Sequence, residues 1–375
     1  MNIAIKEVNT RRELRQFIHL PAAIHQGHSN WVPPVYMDER VFFNPKKNTA
    51  FSYCDTLLLL AFRGKKAVGR IMGIINHKYN REQNENNARF CFLETYNEQD
   101  VAMALLAHVE SWAKAKGTDR LVGPLGFSDK DPQGLLVEGF DAPMVITSNC
   151  NFPYLVDFVE GSGFTKKLDL VVYEVGVPEE IPEFYRKIHE RALRNYPGLS
   201  LVPLRSKKDI KPYIVPVLSL MNETFKDIYA FTPLSVKEMN EFASRYLMIL
   251  DPRFIKVLEN EKKEVVAFIL GIPDITEGIR KSKGYVLPIG IFQILRAQQK
   301  TKRLSLMLGA IRHDYRKAGI DTILGINMLE EAKKAGFTHI DSHLEMESHH
   351  NMRSEMEKMG GKVYKRYRIY QKPLA

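Results

Sequence analysis

The residues best suited to chemistry in this chain lie in a short loop near its end. An apolar run, Leu304–Ile311, is followed by Arg316, two further residues and Gly319, and then by a segment with the apolar spacing of a helix. A second apolar run, Thr338–Leu344, closes the unit. A glycine turn between a strand and a helix presents consecutive backbone N–H groups, which can bind a pyrophosphate. The sequence therefore predicts a phosphate-binding loop at this point.

Length and charge limit the partners of such a loop. The chain has 375 residues, more than one domain usually contains, so two domains are expected. Hydrophobic residues make up 45% and charged residues 26%, which is ordinary for a globular protein. The formal charge of +10 favours polyanionic partners, namely nucleic acid, an anionic membrane surface or phosphate-bearing ligands. The charge alone does not choose among the three.

The cysteines and apolar stretches predict a cytoplasmic protein without a metal site. Cys54, Cys91 and Cys150 are odd in number and far apart, which argues against a disulfide framework or a zinc-thiolate site. The N-terminus lacks the apolar region of a signal peptide. The apolar stretch Gly284–Leu295 is twelve residues long, whereas a membrane helix needs about 20. No membrane span is expected.

Internal similarity predicts that the chain contains one α/β unit twice. The matching segments are Lys65–Ile74 with Lys262–Ile272, Glu110–Val122 with Glu331–Ile340, and Gly163–Tyr173 with Gly360–Tyr370. Each unit is predicted to be α+β, a mixed and mostly antiparallel sheet flanked by helices. Prolines place the join near Val177–Pro182, and Glu183–Asn195 is predicted to be a connecting helix. The expected divisions are 1–177, a linker at 178–198, and 199–375.

The loop region resembles a known motif. Ile311–Leu324 is similar to motif A of the GNAT acyltransferases, in which an Arg/Gln-x-x-Gly-x-Gly/Ala loop precedes a helix. Arg316 and Gly319 match, and Asp321 stands at the last small position. Over almost its whole length the chain also resembles the bacterial ceramide synthase-like family of tandem GNAT proteins. The segments that carry this resemblance are Trp31–Pro34, Val68–Arg70, Gly123–Pro124, Gly134–Asp141, Pro233–Leu234 with Glu238, Pro273–Asp274, Arg316 with Gly319, Glu355–Gly361 and Tyr367–Tyr370.

The resemblance implies two tandem GNAT-like domains and an enzyme that moves an acyl group from acyl-CoA, or from an acyl-carrier protein, to an amine. In the best-known member of the family the amine is a long-chain sphingoid base. Coenzyme A would be the co-substrate of the second copy, with its pyrophosphate on the loop and its pantetheine arm along the strand. The expected cofactor-binding residues are Met307, Leu308, Gly309, Ala310, Ile311, Arg316, Lys317, Ala318, Gly319 and Ile320.

The first copy is expected to bind no cofactor. Its corresponding loop, Tyr96–Asp100, has no glycine and brings two carboxylates to a helix N-terminus, where they would repel a pyrophosphate. The glycine-rich segment Asp129–Asp141 suits an acceptor pocket between the copies, and a purely structural loop is the alternative.

Three residues are candidates for handling the proton of the amine. Met356 occupies the position of the tyrosine that acts as the general acid in GNAT enzymes, so that form of assistance is absent. His349, at the start of the same helix, could accept a proton near neutral pH or could be an exposed helix end. Glu347 is a second candidate. Asp274 is a candidate base or ammonium anchor, with a capping carboxylate as the alternative.

The extra segment of the second copy, 280–303, predicts a contact with lipid. It has an apolar stretch with basic flanks, a pattern that can rest in the inner face of a membrane or line a pocket for a long chain. A helix packed on its own domain is the alternative. The alternating tyrosine and basic residues near the C-terminus are more typical of a strand with one solvated face, so no nucleic-acid partner is expected.

Three functions therefore remain open. The first is an acyl-CoA-dependent N-acyltransferase acting on a lipid-like amine. The second is an aminoacyl transferase like the Fem enzymes, which also double this fold and use charged transfer RNA. The third is a non-catalytic binding protein, since Asp321, Met356 and His349 depart from the GNAT pattern.

Overall fold

The chain contains nearly the same order of elements twice. The computed structural model describes residues 2–374, with the backbone alone at residue 351. The first half consists of β1 (Ile3–Glu7), α1 (Arg11–Ile24), α2 (Tyr36–Phe42), β2 (Cys54–Arg63), β3 (Lys66–Asn76), α3 (His77–Gln83), β4 (Asn87–Thr95), α4 (Gln99–Ala115), β5 (Arg120–Gly123), β6 (Leu135–Glu138), α5 (Tyr154–Gly161) and β7 (Thr165–Gly176).

A connecting helix, α6 (Glu183–Asn195), leads into the second half and has the bounds that the sequence predicts. The elements that follow are β8 (Ser200–Leu201), α7 (Lys207–Ile210), α8 (Ile214–Thr224), α9 (Val236–Tyr246), β9 (Ile255–Glu259), β10 (Val265–Pro273), α10 (Thr276–Lys281), α11 (Gly290–Lys300), β11 (Arg303–Ile311), α12 (Ile320–Lys334), β12 (His339–Ser342), β13 (Glu345–Met346), α13 (His350–Lys358) and β14 (Lys362–Pro373). Short 3-10 helices lie at Thr49–Ser52, Lys211–Tyr213, Pro252–Phe254 and His313–Tyr315.

All described strands belong to one mixed sheet. Its order is β1-β2-β3-β4-β5-β14-β7-β12-β11-β10-β9-β8, with β6 added to β14 and β13 added to β7. Only two neighbouring pairs, β4 with β5 and β11 with β12, are parallel among the described strands. Each parallel pair is joined by a long crossover helix, α4 or α12, as parallel strands require. The predicted fold class, a mostly antiparallel sheet flanked by helices, is confirmed.

The closing strands of the two halves are exchanged. β14, the last strand of the second half, lies between β5 and β7 of the first half, and β7 in turn pairs with β12 of the second. The segments 1–177 and 199–375 therefore share one continuous sheet. A core cluster at the exchange combines Val122, Leu170 and Val172 with Tyr367 and Ile369. This arrangement fixes the position of each half relative to the other.

The crossover helices bury apolar faces against the sheet. On α4 the side chains of Val101, Leu105 and Val109 are fully buried, at the four-residue spacing of one helix face. No helix in residues 2–374 is both long enough and apolar enough to cross a membrane.

Candidate active site

β11 separates from β12 part-way along its length. The two strands pair only over Arg303–Leu306, against His339–Ser342. The pairing of β11 with β10 continues to Ile311, while the chain beyond β12 turns away so that β13 pairs with β7. Along 307–311, β11 consequently has no strand on its β12 side among the described residues. Unpaired strand edges can bind an extended ligand through main-chain hydrogen bonds.

A bulge lies at the point of separation. Leu270 of β10 is opposite Leu308, but the next residue, Gly271, is opposite Leu306, so Met307 is the extra residue. Bulges bend a strand and re-aim its side chains, and they are common beside active sites. Here Met307 packs against an apolar cluster drawn from both halves, which includes Val32 and Ile146.

The loop after β11 presents free backbone donors. Lys317 and Gly319 have positive φ angles of 60° and 77°, and Gly319 is the N-cap of α12. The N–H groups of Lys317, Ala318, Gly319 and Ile320 have no hydrogen-bond partner among the described residues. Four consecutive donors at a helix N-terminus form a site for an anion. The residues present therefore fit the pyrophosphate of coenzyme A.

Among the described residues, the side chains beside this loop make no hydrogen bond with these four N–H groups. Arg316 is exposed, and its Nε donates to the carbonyl of Ile311, 3.2 Å away. On the other side α6 packs against the glycine, since a Cβ on Gly319 would lie 2.8 Å from Cγ2 of Ile188. Asp321 is exposed. Displacement of water by neighbouring groups and the charge of Glu355 on α13 raise its pKa above the ordinary value.

The corresponding opening in the first half is filled by the chain itself. β4 and β5 also pair over only a few residues, Asn87–Arg89 with Arg120–Val122. The gap beyond them is closed because Leu125 N–H donates to the Phe90 carbonyl at 2.8 Å, and Arg89 donates to two carbonyls of the same passing segment. No ligand-sized edge remains there in the described chain.

The loop of the first half is also occupied by charge pairs. Glu98 and Asp100, at the start of α4, both bind the guanidinium of Arg63, and its contact with Asp100 is 2.6 Å long. Acidic side chains at a helix N-terminus repel a phosphate. The two halves therefore differ at the one place where the repeated unit could hold coenzyme A.

Glu347 lies just beyond β13, within a network of ion pairs. Its carboxylate accepts a hydrogen bond of 2.5 Å from Arg366, and Lys166 is 3.5 Å away. The hydrogen bond from Arg366 and the charge of that residue hold the pKa of Glu347 below its ordinary value. An ionised carboxylate tied to arginine is a weak proton acceptor.

His349 is close enough to Arg316 of the loop at 316–320 for the two charges to interact. It is exposed at the N-cap of α13, and its Nδ1 is 4.0 Å from Glu345. The carboxylate of Glu345 raises the pKa of His349, and partial burial and the nearby charge of Arg316 oppose that rise. His349 also lines a small cleft between the halves, together with Gln133 and Tyr229.

Asp274 lies at the other end of the sheet. Its N–H donates to the carbonyl of Arg303, where β11 begins, and its side chain accepts from Thr276 N–H at 2.9 Å. The nine residues of β11 separate this point from the loop by roughly 25 Å. Asp274 is therefore a capping carboxylate far from the loop at 316–320, whereas Glu347 and His349, two residues apart in the chain, both lie just beyond β13.

The first half also contains a cluster of hydrogen-bonded polar side chains that was not predicted from the sequence. His25 Nε2 is 2.8 Å from Glu94, and His25 Nδ1 is 2.9 Å from Nδ1 of His28. The spacing His-x-x-His at the end of α1 was the available signal. It could not be interpreted without Glu94, which is 69 residues away in the chain.

Comparisons with known proteins agree with this architecture. No protein-family model matches the chain. It is 28% identical over 387 aligned positions to the bacterial ceramide synthase of Caulobacter vibrioides, covering 100% of this chain and 98% of that protein. It is 22% identical to protein YghO of Escherichia coli, covering 97% and 94% of the two chains.

Among solved structures, it superposes on a tandem GNAT protein from the clavulanic acid biosynthesis pathway, with a TM-score of 0.57 at 12% identity, covering 100% and 99% of the chains. The chain is a tandem GNAT-fold protein. The GCN5-related N-acetyltransferase of Sphaerobacter thermophilus superposes with a TM-score of 0.53 at 10% identity over 99% and 96% of the chains. The predicted resemblance to the bacterial ceramide synthase-like proteins is confirmed over the full length.

Proposed function

We propose that this tandem GNAT-fold protein is an acyl-CoA-dependent N-acyltransferase whose second half binds the coenzyme and whose acceptor is a lipid-like amine, such as a long-chain sphingoid base. Two findings support an acyltransferase: the fold, and the full-length similarity to a bacterial ceramide synthase. The observation that carries the proposal is the difference between the halves. Only the second combines an open edge at 307–311 with unpaired N–H groups at 317–320, within the described chain.

The chain's own contribution to the reaction is positioning. When bound, acyl-CoA supplies a thioester whose carbonyl carbon an amine can attack. The free N–H groups of 317–320 hold the phosphates, and the edge of β11 directs the arm of the ligand toward Met307. The cluster around Met307, with Val32, Ile146 and Val286, excludes water from the end of that path. Fixing two reactants in place can contribute several kcal/mol to a rate.

The test of this function is a turnover assay with purified protein. Long-chain acyl-CoA and a long-chain amine should give an amide and one free thiol per amide, measured by mass spectrometry and by a thiol reagent. Shortening the amine to a few carbons should lower kcat/KM at least about tenfold, because each buried methylene contributes about 0.8 kcal/mol. Charged transfer RNA, the donor of Fem-like enzymes, should not replace acyl-CoA. Activity with charged transfer RNA alone would contradict the proposal.

A lipid acceptor requires access to a membrane, and the second half has a surface suited to this. We name the exposed side chains of Tyr285, Leu287, Ile289 and Phe292 the apolar surface. Their exposed fractions are 52, 65, 69 and 70%. Val286 and Ile294, in the same segment, are buried, so the segment is anchored by one face and exposes the other. Contiguous exposed apolar groups of this size mark interaction sites.

The charges around the apolar surface favour an anionic membrane as its partner. Lys283, Arg296 and Lys300 are exposed on the same segment, and none has an ion pair within the described chain. Basic residues beside an apolar face bind anionic lipid headgroups, each contributing about 1 kcal/mol near the surface. We infer that 280–303 rests on the inner face of the membrane.

Replacing Leu287, Ile289 and Phe292 with glutamine should weaken vesicle binding at least roughly tenfold, because three inserted apolar side chains are lost. Cosedimentation with phosphatidylcholine vesicles, with and without phosphatidylglycerol, measures this. The matched control is Phe184→Gln, which removes a side chain that is 59% exposed on α6 and should change nothing. Equal vesicle binding by the triple variant and the wild type would overturn the inference. A wild type that is a stable dimer, together with a triple variant that is a monomer, would also overturn it, because the apolar surface would then be a dimer interface.

A further inference from the structure

The first half contains a line of three hydrogen-bonded side chains that ends at its surface. Glu94 on β4 accepts from His25 at 2.8 Å, and His25 contacts His28 at 2.9 Å through the Nδ1 atoms of both rings. His25 is only 3% exposed, whereas His28 is half-buried. His28 Nε2 has no hydrogen-bond partner in the described chain and is not among its fully buried polar atoms.

The carboxylate fixes which nitrogen of each ring carries a proton. An ionised carboxylate only accepts hydrogen bonds, so His25 must donate to it through Nε2–H. In the neutral form of His25 the Nδ1 atom carries a lone pair, and His28 then donates to that atom through Nδ1–H. His28 Nε2 is left with a lone pair directed away from the line. A buried carboxylate orients the catalytic histidine of serine proteases in the same way.

The charges around the line keep the carboxylate ionised and His28 neutral. Burial would raise the pKa of Glu94, but the interaction with His25 and the charge of Arg70, 3.8 Å away, outweigh burial and the pKa is lowered. Burial is the largest cause that lowers the pKa of His28, followed by His25, because a charge on one of two adjacent rings disfavours a charge on the other. Lys365 on β14 lowers it further, and Glu94 opposes this. His28 is therefore unprotonated near neutral pH.

Side chains packed around the line connect it with the second half, and Lys365 on β14 is close enough to His28 for their charges to interact. His28 stacks on Phe152 at 4.3 Å, and Trp31, beside Val32 of the Met307 cluster, stacks on His25 at 4.9 Å. Cys150, two residues before Phe152, lies within the electrostatic reach of Lys365 and of Arg280 on α10. Trp31 and Val32, which are adjacent in the chain, thus join the rings around His25 to the cluster that contains Met307 of the β11 bulge.

We propose that His28 is a catalytic base that takes a proton from the ammonium group of the acceptor, and that His25 and Glu94 are positioning residues that set its tautomer. This inference rests on the proposed function, because the amine is its substrate. It adds a base in the half that holds no coenzyme, whereas His349 lies beside the coenzyme loop.

One N–H bond of the ammonium breaks, its electron pair remains on nitrogen as the nucleophile, and the proton binds His28 Nε2. After the amine nitrogen has formed the amide bond and the C–S bond has broken, a second proton from that nitrogen ends on the sulfur. His28 returns its own proton to solvent. The sum is one amide, one thiol and one released proton per turnover.

The matched test uses His28→Gln, Glu94→Gln and the exposed His108→Gln as a control. His28→Gln should lower kcat/KM at pH 7 by about 10²-fold, the typical loss for a general base, and activity should recover as pH rises and the free amine becomes abundant. Glu94→Gln should cause a similar loss with the fold intact, because an amide can donate to His25 and reverse both tautomers. His108→Gln should behave as the wild type.

Nitrogen NMR of the histidine rings separates this inference from the proposed function. His28 should be the Nδ1–H tautomer in the wild type and the Nε2–H tautomer in Glu94→Gln, whether or not a substrate is found. A wild type without acyltransferase activity would contradict the proposed function, and the tautomers would still be measurable. The base is overturned if His28→Gln keeps kcat/KM within about twofold of wild type with the same pH profile.

Discussion

Replacing Gly319 with valine should abolish coenzyme A binding and lower acyl transfer roughly 100-fold or more. The φ angle of 77° is unfavourable for a β-branched residue, and the new Cβ would lie 2.8 Å from Ile188. The loop can relieve the backbone strain and the clash with Ile188 only by rotating its N–H groups, which then no longer point at one bound phosphate. Losing several hydrogen bonds to a charged group, at about 1.5–3 kcal/mol each, accounts for a loss of this size. Steady-state kcat/KM with acyl-CoA measures it.

The chain provides a control with the same backbone strain and no ligand. Gly117, at the end of α4, has a φ angle of 76° and no atom within 4 Å of an added Cβ. Gly117→Val should therefore lower stability by about 1–3 kcal/mol and leave kcat/KM unchanged. Comparing the melting temperatures of Gly319→Val and Gly117→Val separates the effect of backbone strain from the effect of losing the anion site. Wild-type activity in Gly319→Val would show that the loop serves no ligand.

Replacing Asp169 with alanine should lower the free energy of unfolding by about 1.5–3 kcal/mol. Its carboxylate, on β7, is 2% exposed and lies opposite Arg368 of β14. It accepts from Arg368 at 2.8 and 3.1 Å and from Lys166 at 2.7 Å. Removing it takes the nearest carboxylate from Arg368 and Lys166 where the exchanged strands meet, although Arg368 still has Glu160 at 3.7 Å and Lys166 still has Glu347 at 3.5 Å. The loss is therefore that of the hydrogen bonds to a charged group. Chemical denaturation measures the change.

The control for Asp169→Ala is the exposed ion pair of Glu183 and Lys187, whose side chains are 76 and 73% exposed. Glu183→Ala should cost less than about 1 kcal/mol.

The effect of Asp169 should also depend on pH. Arg368 and Lys166 outweigh burial and hold the pKa of Asp169 below its ordinary value. Its stabilisation is therefore present above the unfolded pKa of about 3.9 and is lost as pH falls through the folded value. If the difference in the free energy of unfolding between the wild type and Asp169→Asn did not change with pH, this explanation would be wrong.

The sequence could predict the parts of this fold that depend on local patterns. The connecting helix Glu183–Asn195 has its predicted bounds, and β11 differs from its predicted run by one residue. The exchange of β7 and β14 could not be predicted. Both strands have similar alternating patterns, so either could pair with either half, and the choice depends on contacts such as Asp169 with Arg368 between residues 199 positions apart.

The candidate site was also predictable from the sequence only in part. The loop at 316–320 was predictable because its residues are adjacent and glycine has a particular conformational role. The surroundings of Glu347 were not, because its partner Arg366 comes from β14 and Lys166 comes from β7. The line of Glu94, His25 and His28 was missed for the same reason. Side-chain chemistry that joins distant segments requires the sheet order.

The measurement that tests the account most directly is a calorimetric titration of the wild type with coenzyme A. The difference between the halves predicts saturable binding at one site per chain, lost in Gly319→Val and retained in Gly117→Val. Binding at two sites per chain, or no binding at all, would contradict the account.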